Sequence, residues 1–284
     1  RLKFLINDLS ILNIPILKIP SISDITSGKE KIDKLKPILI EDLLGRDQVK
    51  PMKHLLGPGI NNSVVAITGA GGSIGTELCN QILLLNPKKI ILFEISEPAL
   101  FEIFQKMNLE KKHNIEIVPI LGDVSNLDLI RKFLLMHEVS IIFHAAAYKH
   151  VYMSEINFMS VLRNNIFSSH VIAKASIEAN VKKVILISSD KAVRPFNIMG
   201  TSKRIAEQIF QAYGQKTSSD KPLSSNKTLF SIVRFGNVLR SSGSVIPLFE
   251  KQIERGGPVT VTHPDVVRYF MTISEAAELV IQAS

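Results

Sequence analysis

Two short clusters in the sequence carry groups that could move protons. The first is Ser189-Asp190-Lys191, a hydroxyl, a carboxylate and an amine in consecutive positions directly after an apolar run. The second is Met199 and Lys203, four residues apart and therefore on one face of any helix that contains them. A carboxyl and an amine side by side can serve as general acid and base if their pKa values are suitably tuned. A thioether has no proton to give, so Met199 cannot. On residue type alone, Asp190 also reads as a turn cap, Lys191 as a solvated cation and Met199 as core filler. Adjacent strand residues point to opposite faces, so Asp190 and Lys191 can share a pocket only if the strand ends before them. An acid working at neutral pH would further need burial to raise the Asp190 pKa.

A third cluster binds rather than reacts. Val64–Thr68 runs into Gly69-Ala70-Gly71-Gly72-Ser73-Ile74-Gly75, with glycines 69, 72 and 75 at GxxGxxG spacing. Gly69 suits a tight turn, Gly72 a close approach of backbone to pyrophosphate, and Gly75 close helix–strand packing. A helix opening at Ser73 and Ile74 would present free N–H groups and its positive end to phosphate. Glu94 ends the next apolar run, where a carboxylate can accept both ribose hydroxyls and would repel a 2′-phosphate, which favours NAD over NADP. Asp123 and Val124 close the third run, at the adenine end. Ala145, Ala146 and Ala147 end the fourth, small enough to let a dinucleotide pass.

These clusters need a scaffold that brings strand ends together. Apolar runs at 64–68, 89–93, 115–121, 140–143, 183–188 and 229–233 alternate with helical patterns near 74–85, 97–109, 126–137, 158–179 and 199–215. That alternation predicts an α/β fold, a Rossmann-type doubly wound parallel sheet, with a smaller C-terminal substrate-binding region over 235–284. Residues 1–60 read as the tail of a preceding domain plus linker, with a helix over Arg1–Leu9 and a proline-hemmed strand near 14–20. Residues 61–284 read as the catalytic domain. The polar stretch 216–227 reads as a surface loop. Both ends read as cut from a longer protein.

The bulk properties narrow the partners. With 284 residues, 45% of them hydrophobic, the chain can bury a large core. The single Cys79 rules out a disulfide framework and fits a reducing setting, and no metal site is expected. The formal net charge of +8 favours anionic partners such as a diphosphate, yet the basic residues are spread along the chain, so no nucleic acid is expected. No apolar run is long enough to span a bilayer.

The motifs ITGAGGSIGTELCNQI (67–82), HAAAYKHV (144–151), SSDKAVRPFNIMGTSKR (188–204), VRFGNVLRSSGSVIPLF (233–249) and GGPVTVTHPDVVRYFMTI (256–273), with the linker IEDLLGRD (40–47), carry a resemblance over about residues 36–284. The chain resembles the extended short-chain dehydrogenases, and within them the large membrane-anchored UDP-N-acetylglucosamine 4,6-dehydratases of the CapD/WbpM/PglF group. Short-chain dehydrogenases carry Tyr-x-x-x-Lys where this chain has Met199 and Lys203, which puts ordinary alcohol oxidation in doubt. The resemblance implies internally recycled NAD and a UDP-sugar substrate. It implies a C4 ketone that acidifies C5, loss of the C6 hydroxyl and retained C5 configuration. Asp190 would be the acid at C6, Lys191 the base at C5, Ser189 would keep a hydroxyl beside them, and Lys203 would bind the nicotinamide ribose. Asn237 would contact the diphosphate, Ser244, Val245 and Pro247 would line the uridine side, and Arg268 would pair with phosphate. Lys149 could reach substrate. The group further implies a homo-oligomer on the cytoplasmic face of a bacterial inner membrane. A nucleotide-sugar 4-epimerase and a non-catalytic NAD sensor are the competing readings.

Overall fold

A computed structural model of the chain describes residues 17–18, 36–37, 48–111, 114–219, 227–261 and 263–284. The expected helix over 1–9 lies outside the described residues. Of the stretch 14–20 only Leu17–Lys18 is described, paired antiparallel with Lys36–Pro37.

Six strands form one parallel sheet: β1 (Val64–Thr68), β2 (Lys89–Glu94), β3 (Glu116–Leu121), β4 (Ile141–His144), β5 (Lys183–Ser189) and β6 (Leu229–Phe235). Their order in space is β3-β2-β1-β4-β5-β6, the doubly wound arrangement in which ligands bind where the order reverses, between β1 and β4. Successive residues face opposite layers. Val65, Ile67, Ile90 and Leu92 pack on α1 (Ser73–Leu84) and α2 (Glu97–Glu110). Val64, Ala66, Ile91 and Phe93 pack towards α3 (Leu127–Met136) and the helices that follow β4. Both faces are covered, which is why the central strands read as unbroken apolar runs. β3 pairs only with β2, and this edge tolerates Pro119.

After β4 come α4 (Val151–Ile156), α5 (Phe158–Val161), one π-helical turn (Leu162–Phe167) and α6 (Ser168–Glu178). The chain is thus helical throughout 158–178, as expected over 158–179, with a π turn within it, and α4 precedes it. A 3-10 turn, Asp190–Ala192, follows β5 and leads to α7 (Ile198–Ser219). The sequence predicts a loop over 216–227, but α7 continues through 219, and 220–226 lie outside the described residues.

The C-terminal region pairs β7 (Asn237–Val238) in parallel with β8 (Phe270–Met271) and adds α8 (Val245–Glu254) and α9 (Ile273–Gln282). The segment ahead of β1 docks on α9: Val49 N–H donates to Glu275 at 2.9 Å and Met52 N–H to Gln282 at 2.8 Å, while Ile60 is fully buried in the core.

Candidate active site

The glycine-rich loop is held by sterics. Gly69 has φ +69°, and a Cβ there would meet backbone atoms of Ala146 at 2.8 Å. A Cβ on Gly75 would lie 2.0 Å from the Gly69 carbonyl oxygen. Helix α1 starts after Gly72 with no side-chain cap, so its first-turn N–H groups remain free to meet an anion. Glu94 is buried and accepts N–H bonds from Gly71 at 3.0 Å, Ile95 at 2.9 Å and Ser96 at 3.1 Å. It therefore holds the glycine loop itself and keeps acceptor capacity for a ribose. Asp123 accepts from Ser125 N–H at 2.7 Å.

Three cavities run along the sheet's C-terminal edge, and all three share Ala145 and Ala147. The one of about 260 Å³ is walled by Gly69, Gly71, Gly72, Glu94, Asp123, Val124 and Ala146, the expected adenosine end. That of about 620 Å³ adds Ser73, Ile74, Gly75 and Lys149. The largest, about 810 Å³, brings together Ser189, Lys191, Met199, Lys203, Asn237, Ser244, Val245 and Arg268, with Ile74 and Lys149 at the join. The uncapped helix, the glycine cradle and the acid at the end of β2 fit a dinucleotide running along this edge.

Within the large cavity, β5 ends at Ser189 and the 3-10 turn lets Asp190 and Lys191 lie together. Lys191 Nζ donates to Asp190 Oδ1 at 3.0 Å and to Asn237 Oδ1 at 2.9 Å, joining the Asp190–Lys191 pair to β7. Ser189 Oγ donates to Asp190 Oδ1 at 2.9 Å. The turn rests directly on α7, where a Cβ on Gly200 would be 2.4 Å from the Lys191 carbonyl oxygen. Met199 is buried, and Lys203 Nζ donates to the Ile187 carbonyl at 2.9 Å. Burial lowers the Lys203 pKa to about 8, against a raising contribution from Glu207.

Two expectations need correction. Burial does act to raise the Asp190 pKa, but the bonds from Lys191 and Ser189 together outweigh it and hold the carboxyl below its ordinary value. Asp190 is thus a carboxylate paired with an ammonium. Nor does Asp190 line the cavity; Ser189 and Lys191 do, and Pro247 is likewise absent from the wall. Lys149 sits at the rim, where loss of hydration lowers its pKa. Ser244 is the N-cap of α8, and its buried hydroxyl has no protein partner.

Several residues did not declare themselves in the sequence. Asn165, in the π turn, accepts from Tyr148 N–H at 2.8 Å and donates to Tyr148 O at 3.0 Å and Ser202 Oγ at 2.9 Å, clamping the 145–149 loop to α7. A π turn frequently marks a functional site, but asparagine in a helical pattern does not signal one. His144 bonds Thr68 Oγ1 at 2.7 Å and burial drives its pKa down to about 3, so it is neutral. Among the described residues no group of His, Cys, Asp or Glu is placed to hold a metal ion, and no helix is long and apolar enough to cross a membrane.

Fold and site together define a Rossmann-type protein with a large cavity beside its glycine-rich cleft. The chain belongs to the family described as polysaccharide biosynthesis protein, which matches residues 65–284. It is 45% identical over 270 residues to the capsular polysaccharide biosynthesis protein CapD of Staphylococcus aureus, spanning 95% of this chain and 44% of that relative. It is 34% identical over 225 residues to a UDP-glucose 4-epimerase of Rickettsia rickettsii, spanning 78% and 62%. The chain therefore spans less than two thirds of these relatives' length. Pen from Bacillus thuringiensis, 35% identical, superposes with a TM-score of 0.71 over 79% of this chain and 68% of its own. The dTDP-glucose 4,6-dehydratase DesIV of Streptomyces venezuelae, solved as a double mutant with NAD bound, shares the fold at 18% identity, with a TM-score of 0.65 over 76% and 70%.

Proposed function

We propose that the chain is the catalytic part of an NAD-dependent lyase. It would dehydrate a UDP-N-acetylhexosamine, UDP-GlcNAc first among them, to a UDP-4-keto-6-deoxy sugar with C5 configuration retained. The observation that carries this reading is Lys191 held between Asp190 and Asn237 inside the large cavity, beside a Met199 that has no proton to move. The glycine loop, Glu94 and Lys203 would hold NAD, whose nicotinamide would supply a reversible hydride acceptor beside the large cavity.

The chain's own groups then divide the proton work. Asp190 and Lys191 share one proton across a 3.0 Å bond. In open solvent it sits on Nζ. Transfer to Oδ1 yields a carboxylic acid and a free amine, the pair needed to protonate the C6 hydroxyl and to take the C5 proton. A bound sugar that displaces water favours this neutral pair, because desolvation penalises both charges. Ser189 Oγ, on the cavity wall, links the acid to the sugar. Asn237 fixes the Lys191 amine, and Arg268 with the uncapped Ser244 end of α8 faces the diphosphate and uridine.

The test is the alkaline ultraviolet absorbance of 4-keto sugars after incubation with NAD and UDP-GlcNAc. Its appearance is expected; a silent spectrum with intact NAD binding refutes the reading. The likeness to a UDP-glucose 4-epimerase favours one alternative, in which the C4 epimer forms without 4-keto product. As part of the same proposal, the longer protein is membrane-anchored with this part on the cytoplasmic face and self-associates. Fractionation of cells and sedimentation of the purified protein check those two points.

A further inference from the structure

One charge cluster, a buried carboxylate held by two partly exposed arginines, lies just behind the large cavity and has no part in the chemistry above. Glu207 on α7 has a fully buried carboxylate. It accepts from Ser188 Oγ at 2.6 Å, from Arg234 Nε at 2.6 Å and through a second Arg234 nitrogen, and from Arg204 at 3.1 Å. Burial alone would raise its pKa, but these bonds outweigh it and keep the group ionised. Ser188 and Arg234 are direct cross-strand partners at the ends of β5 and β6. Two residues beyond Ser188 comes Asp190; three beyond Arg234 comes Asn237. Lys203 lies one turn before Glu207 on the same helix.

We propose that Glu207 is a positioning residue: its carboxylate sets the separation of the β5 and β6 ends so that Lys191 and Asn237 meet, and its charge supports the Lys203 ammonium. Neither Glu207 nor its two arginines lines the cavity, whereas Ser188 and Lys203, through which it acts, both do. A carboxylate stripped of water is a poor device for stability alone, since its desolvation offsets much of its attraction to the partly exposed arginines. Its location is better explained by geometry: one carboxylate ties together the three segments that deliver the acid/base pair, the diphosphate contact and the cofactor lysine. Among the described residues, four groups are placed about Lys203. They are Glu207 from its own helix, neutral His144 from β4, the Ile187 carbonyl from β5, and Lys191 across the cavity. Glu207 is the anion among them.

Two variants separate reach from charge. Glu207→Gln keeps the reach and loses the charge; Glu207→Asp keeps the charge and shortens the reach. The Lys203 ammonium is followed by heteronuclear NMR against pH, assigned with Lys203→Arg, a readout that needs no substrate. In Glu207→Gln it should titrate at lower pH than in the wild type, and in Glu207→Asp close to it. Turnover of UDP-GlcNAc, which alone rests on the dehydratase reading, should fall on the order of 10²-fold in Glu207→Asp, the usual consequence of an ångström-scale misplacement, with kcat affected more than KM. If either variant does not fold, the charge-neutral Glu207→Gln/Arg234→Met pair should regain thermal stability without regaining turnover. An unchanged Lys203 titration in Glu207→Gln, or wild-type turnover in Glu207→Asp or in the double variant, overturns the proposal. If the wild-type chain does not act on UDP-GlcNAc, the dehydratase reading fails while the titration still decides the role of Glu207.

Discussion

The two ends of the cleft are built on different principles. At the end proposed for the cofactor the backbone would be the binding surface. Gly69 and Gly75 sit where a Cβ would collide with main-chain atoms, and α1 begins uncapped over fully buried strands. At the end proposed for the substrate, side chains would do the work on lighter scaffolding. β7 and β8 pair over two residues, α8 buries none of its residues, and Asn237, Ser244 and Arg268 converge from separate segments. Hence the first region should fail abruptly when altered, and the second by degrees.

The largest effect is expected at Gly75. Gly75→Ala places a methyl 2.0 Å from a backbone oxygen that cannot move without the glycine loop. We expect a loss of about 3 kcal/mol or more, the range of severe local disruption, with NAD binding abolished in a calorimetric titration. A variant that binds NAD normally would show the loop to be adaptable, and the contrast between the two ends would collapse.

Next is the acid. Asp190→Asn keeps shape but cannot release a proton, so turnover should drop about 10²- to 10⁴-fold with UDP-sugar binding little changed. Lys191→Met should stop exchange of the C5 proton with deuterated solvent, and Asp190→Asn should slow it, because Lys191 becomes a free amine by passing its proton to Asp190. Near wild-type turnover in Asp190→Asn would move the acid to another group.

Lys203 gives a pH signature. Its pKa is lowered from 10.5 to about 8 by burial, so the folded chain binds fewer protons than the unfolded one between those values. Stability from this group therefore rises with pH across that window, and below it the buried ammonium costs stability, on the order of a few kcal/mol. Lys203→Met should melt higher than wild type at pH 7, with the gap closing towards pH 10.5. A gap that is constant with pH would mean the lysine is not titrating there.

The smallest effect is expected at Met199. Met199→Leu changes only packing and should cost roughly tenfold or less in turnover. A larger loss would assign the thioether a more direct part.

Much of this contrast was readable beforehand. The phosphate loop was legible because its requirements are local: an apolar run, glycines at fixed spacing and a helix start all fall within one stretch of chain. The end of the strand was legible only as a condition for Asp190 and Lys191 to share a pocket; the apolar run suggests 183–188, and the strand ends at Ser189. The charge state of Asp190 was not, because it depends on where Lys191 and Ser189 point. Glu207 escaped notice for a similar reason: its partners Ser188 and Arg234 lie 19 and 27 residues away in sequence. Nor did polarity distinguish the last turn of α7 from a loop.

The central claim, that Asp190 and Lys191 dehydrate the sugar without help from residue 199, is tested most directly by proton NMR of the product. The purified chain, with NAD and UDP-GlcNAc in deuterated water, should yield a UDP-4-keto-6-deoxy-N-acetyl sugar carrying deuterium at C5, with coupling constants of the original configuration. A C4 epimer that retains its C6 hydroxyl, or a product inverted at C5, would contradict it.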